Sequence, residues 1–176
     1  MKILLRDEHP TVANAVEKAN FILRDAEFYQ EIRKKERFDM STATPGEIAS
    51  YLETLELLFE VILFKPQTLF ERIKYRKTYA YTDHNYPNML FINELKLERE
   101  EESIAATIIH ESIHALDHAV EDYTFGHGSN RAHNKENTAP YWIGNLAYKI
   151  LTNDPNKQIA FNEMVSEIVI TDSAIS

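Results

Sequence analysis

Apolar residues recur at spacings of three and four from Pro10 to Glu36, where Val12, Val16, Ala19, Leu23 and Ala26 make one stripe. That period predicts an amphipathic helix over 10–36, with Pro10 in its first turn. A second start signal lies in "TPGE" (44–47): Thr44 can cap, Pro45 takes the first helical position and Glu47 closes a capping box. The run behind it, "IASYLETLELLFEVILF" (48–64), is apolar enough to be read as a helix central to the core. The texture then changes. "KTYAYTDHNYPNMLFINEL" (77–95) is rich in Tyr, Thr, Phe and Ile around a polar break, which predicts two extended segments, about 78–82 and 88–93. "EREEES" (98–103) sets acids where a helix start favours them, and a helix over about 101–121 follows. After a polar, glycine-bearing loop, two helices are expected, about 138–152 and 155–170, the second with Asp154 as N-cap and Pro155 in its first turn. The pattern gives an α+β chain, mostly helical, with a small sheet and no repeat or linker, read as one domain over 1–176.

Composition narrows the chemistry more than the fold. There is no cysteine among the 176 residues, which excludes disulfides, thiolate catalysis, zinc ribbons and iron–sulfur clusters. A formal net charge of -9 argues against non-specific binding of nucleic acid or anionic membranes. Positive charge clusters only in "EIRKKER" (31–37) and "ERIKYRK" (71–77), both read as solvated helix faces. "MKILLRDEHP" lacks the pattern of a signal peptide, and "VILF" (61–64), the longest apolar run, is far too short to span a bilayer. The expected location is the cytoplasm, with secretion by a non-classical route left open.

The candidate chemistry lies in "IIHESIHALDH" (108–118), where His110, Glu111 and His114 spell H-E-x-x-H. Residues four apart on a helix share a face one turn apart, so both imidazoles can reach one ion. Glu111, about 100° further round, can take a proton from water beside that ion. Zinc takes neutral imidazole ligands, and a catalytic site pairs its bound water with such a base. This composition yields the spacing by chance about 3 % of the time, so its context matters. Ala105, Ile109, Ile113, Leu116 and Val120 form an apolar stripe that places both histidines at a core boundary. His118 lies about 12 Å along the axis from His110, too far to share an ion with it.

An extended segment, a short acidic connection and then "IAATIIHESIHAL" resemble the core of zincin metallopeptidases, over residues 78–121. The resemblance implies a zincin-like domain whose small edge sheet packs beside the active-site helix. It makes His110 and His114 zinc ligands and Glu111 the general base and acid. It also implies a polypeptide substrate, held extended along the second strand, about 88–93. The metzincin pattern fails, because Asp117 and Val120 stand where it needs Gly and His.

For the third ligand two resemblances compete. "FNEMVSEIV" is similar to the gluzincin N-E-x-x-S-D element, which would make Glu163 a ligand and Glu167 the acid orienting a zinc histidine. Its spacing from His114 is longer than that family's. "HESIHA" followed by "FGHGS" is similar to SprT-like proteases, which would make His127 the ligand, although the polar loop after it departs from their helix. Glu136 and His133 stay open behind these two. Tyr123, His127, His133 and Tyr141 are candidates to stabilise an oxyanion, and the sequence does not rank them. The leading expectation is a zinc endopeptidase. The alternatives are a non-catalytic zincin-like metal-binding interaction module and a metal-dependent hydrolase acting on something other than protein.

Overall fold

The computed structural model describes residues 1–120, 125–126 and 135–157. In chain order these form strand β1 (Lys2–Leu5), helices α1 (Pro10–Ile22), α2 (Ala26–Lys34) and α3 (Pro45–Thr54), strand β2 (Leu58–Phe64) and helix α4 (Leu69–Lys74). Strands β3 (Ala80–Asp83) and β4 (Tyr86–Asn93), a 3-10 turn (Glu94–Lys96) and helices α5 (Glu101–Ala119) and α6 (Ala139–Thr152) follow. The fold is α+β, and no described helix is long and apolar enough to cross a membrane.

Two expected helices are corrected. The stretch 10–36 is two helices, because Asp25 offers a competing acceptor in mid-run. In an unbroken helix Glu27 N–H would donate to the Leu23 carbonyl; here it donates to Asp25 Oδ1 at 2.9 Å. The released Leu23 carbonyl is taken by the buried Tyr29 hydroxyl at 2.6 Å. The stretch 48–64 is a helix only as far as Thr54; its second half is β2, a strand flanked on both sides. A short buried parallel strand reads as a continuous apolar run, which periodicity alone does not separate from a buried helix.

Local signals elsewhere match their elements. The capping box forms at α3, where Glu47 N–H donates to Thr44 Oγ1 and Thr44 N–H donates to Glu47 Oε2. The same box recurs at Thr68 and Glu71, starting α4. Asn153, with φ of 51°, stops α6 in a left-handed cap. Beyond it Asp154 accepts from Asn156 N–H in a turn, and residues 158–170 of the expected last helix lie outside the described residues.

The sheet order is β1-β2-β4-β3, with β1, β2 and β4 parallel and β3 antiparallel to β4. Register puts Ile3 beside Phe59, Val61 beside Leu90, and Ile92 beside Ala80 on one face, all buried in the core with α1, α5 and α6. The opposite face carries Ile62, Phe91 and Tyr81 in one row. The expected substrate strand is also corrected in position. β4, which contains 88–93, is hydrogen-bonded on both sides, so its edges are occupied. Among the described residues the open edges belong to β1 and β3.

Candidate metal centre

The helix that carries the motif is buried all round. Every residue of α5 from Ser103 to Leu116 is buried, where the stripe of five apolar positions predicted one buried face. α5 packs against α1, α6, β3 and β4, which leaves it no solvent side. Its first turn is tied to α1: Lys18 donates to Glu102 at 2.6 Å, and Asn14 donates to Glu101 at 2.8 Å. The Lys18 ammonium holds the Glu102 carboxyl below its ordinary range. Tyr148 of α6 and Lys157 both donate to Glu100, at 2.7 and 2.6 Å, just before the helix.

Burial makes each polar group on α5 account for itself. Thr107 Oγ1 donates to the Ser103 carbonyl and Ser112 Oγ to the Ile108 carbonyl, the usual back-bond one turn away. Arg99 folds over the first turns and donates to Ser103 Oγ and Thr107 Oγ1 at 3.1 and 2.8 Å. His110, Glu111 and His114 lie in the same buried stretch, exposed by only 1, 1 and 3 %.

Their geometry has one decisive number. His110 Nε2 and His114 Nε2 lie 3.2 Å apart, with the rings inclined at 73°. That is a hydrogen-bonding contact between the two rings, and it is close to the separation of about 3.3–3.4 Å between two nitrogens bound to one tetrahedral zinc at about 2.0–2.1 Å. The donor set fits as well, since two neutral imidazoles suit zinc and a dication between them would offset the cost of burying the adjacent Glu111 carboxylate.

Tyr141, in the first turn of α6, sets its ring edge against His110, with centroids 4.6 Å apart at 73°. It is buried, and burial together with the Glu111 charge pushes its phenol well above its ordinary value. Of the four oxyanion candidates it is the one among the described residues, and the structure brings it to the motif. Glu136 is exposed, and its charge also reaches Tyr141.

At the other end of α5 the groups diverge from the motif. His118 is half-buried against His84 of the β3–β4 turn, ring centroids 3.9 Å apart; burial, then the charge of His84, push it down to about 4. Asp117 accepts from Phe125 N–H at 2.8 Å, and burial pushes its carboxyl up to about 6. Gly126 holds a φ of 116°, where an added Cβ would lie 2.7 Å from the Asp39 carbonyl. The glycine before His127 is thus required by a close backbone approach.

Among the described residues no group of three or more His, Asp or Glu side chains could hold a metal. Glu163, Glu167, His127, His133 and Tyr123 all lie outside the described residues. No model of a known protein family, no curated protein and no solved structure matches this chain.

Proposed function

We propose that the chain is a zinc-dependent endopeptidase in which His110 and His114 hold the metal and Glu111 is the general base. The observation that carries this reading is the 3.2 Å convergence of the two Nε2 atoms beside a buried carboxylate on one helix. Zinc, when bound, acidifies a water molecule and polarises the scissile carbonyl. Glu111 takes the proton from that water on its carboxylate and returns it to the leaving amine. Tyr141 keeps the His110 ring in orientation through its edge contact. Polypeptide would add in extended form along the open edge of β3, the strand of the hairpin that packs on α5 with an unoccupied edge among the described residues. Glu163 is the leading third ligand and His127 the alternative, with Glu136 and His133 behind them; zinc content of Glu163→Ala and His127→Ala tests the first two, and retention of metal in both would remove them.

The test is cleavage of an unfolded polypeptide by the purified, zinc-loaded chain. Glu111→Gln should lower the rate by about a hundredfold or more while zinc stays bound, since a general base contributes about 10²–10⁴. Equal rates in Glu111→Gln and the unaltered chain would remove Glu111 from the reaction and sink the reading. The near-complete burial of all three motif residues favours a second reading, a non-catalytic metal-binding interaction module. Stoichiometric zinc with no cleavage of any peptide in a degenerate library would select it.

A further inference from the structure

Among the described residues the two most exposed large apolar side chains, Leu69 and Phe70, sit on α4 with a third, Ile73, beside them. Leu69, Phe70 and Ile73 are 77, 76 and 66 % exposed, and no residue of α4 is buried. Exposed apolar groups scattered singly are ordinary, but three on one six-residue helix form a patch. The same segment reverses the sign of the chain. Lys65, Arg72, Lys74, Arg76 and Lys77 surround α4 against a single carboxylate, Glu71, in a protein of net charge -9. Glu71 is committed to the capping box, and Lys65 pairs with Glu94 at 3.3 Å, which leaves the positive charge concentrated at the end of α4.

The patch is also held firmly. Tyr75, which ends α4, packs edge-on against Phe64 with centroids 5.1 Å apart and stacks on Tyr81 at 6.0 Å. Tyr81 stacks in turn on Phe91 at 4.8 Å, on the sheet face opposite the helices. The aromatic row thus fixes a short helix whose apolar side chains project outward. A protein partner would have to supply the pocket for such tips, whereas a lipid surface supplies an apolar phase by its nature. Apolar tips ringed by Lys and Arg, with Tyr close by, are the composition that lies in the interface of an anionic bilayer.

We propose that α4 docks the protein on an anionic lipid surface, with Leu69, Phe70 and Ile73 entering the acyl boundary and Lys74, Arg76 and Lys77 among the headgroup phosphates. This is peripheral attachment and stands independently of the metal centre. The net negative charge of the rest of the chain would orient it, turning α4 toward the membrane and the remaining surface away.

The test is flotation of the full chain with vesicles of phosphatidylcholine, alone or with about a third phosphatidylglycerol. The chain should float with the anionic vesicles only, and less so as salt is raised. The triple variant Leu69→Ser, Phe70→Ser, Ile73→Ser should lose about tenfold or more in partition, with zinc content unchanged. Arg76→Gln with Lys77→Gln should lose about twenty-five-fold, at roughly fivefold per cation near an anionic surface. The proposal is overturned if the unaltered chain stays unbound at low salt, or if the serine variant binds as well as it does. Two further outcomes also overturn it. Self-association that light scattering finds in the chain and not in the serine variant would make the patch a contact between copies. Tighter binding of polyglutamate than of the anionic vesicles would make it a dock for an acidic polypeptide.

Discussion

If His110 and His114 hold zinc, the metal binds the folded chain and stabilises it by mass action, and removing either imidazole should cancel that gain. The nitrogens already stand 3.2 Å apart, close to the chord of a tetrahedral site, so little of the binding energy goes into rearranging the helix. At free zinc a hundredfold above Kd the gain is about 2.7 kcal/mol. For a chain of this length each kcal/mol raises Tm by about 2–4 °C, so zinc should raise it by about 5–11 °C over the chelated form. Loss of one ligand that weakens binding about a hundredfold leaves about 0.4 kcal/mol at the same zinc concentration, a shift near the limit of detection. The assay is thermal unfolding of His110→Ala, His114→Ala and Glu111→Gln, each with zinc and with chelator. Both histidines are buried, so their alanine variants lose stability from the cavity alone. The quantity to read is therefore the zinc-dependent increment. Glu111→Gln should keep the increment and the histidine variants should lose it. An increment of equal size in the unaltered chain and all three variants would place the metal elsewhere and refute the reasoning.

Two neighbouring groups should oppose each other as pH changes. Asp117, pushed up to about 6 from 3.8, gains a proton on folding, so its contribution falls as pH rises through that window. His118, pushed down to about 4 from 6.5, loses a proton on folding, so its contribution rises over nearly the same range. In urea titrations between pH 4 and 6.5, Asp117→Asn should steepen the rise of stability with pH and His118→Gln should turn it toward a fall; parallel curves would contradict both assignments. Thr44→Ala removes one side of the α3 capping box and should cost about 1 kcal/mol, read as a shift in urea midpoint at constant slope.

What the sequence made legible was local. The capping box at Thr44, the proline start of α1, and the helix around the motif each depend on residues within one or two turns, and each formed near its expected place. What it hid was decided at a distance. "LFEVILF" became a strand because β1 and β4 flank it, and nothing within the heptapeptide announces those neighbours. Strand β4 lost its free edge for the same reason, since β2, from residues 58–64, pairs with the side that the local hairpin to β3 leaves open. The break at Asp25 was readable in principle, because an Asp in mid-helix competes for the backbone, yet the apolar stripe ran through it. At the candidate site the spacing of His110 and His114 carried the convergence of their nitrogens. The contact of Tyr141 with His110 was not legible, since it depends on how α6 crosses α5.

The burial of α5 from Ser103 to Leu116 bears on the order in which the molecule comes apart. Amides of a helix enclosed by α1, α6 and the sheet exchange with solvent only when the whole fold opens, whereas those of α4, with no buried residue, open on their own. The motif therefore belongs to the last cooperative unit to yield. Partial opening at the periphery leaves His110 and His114 facing one another in the most persistent part of the chain.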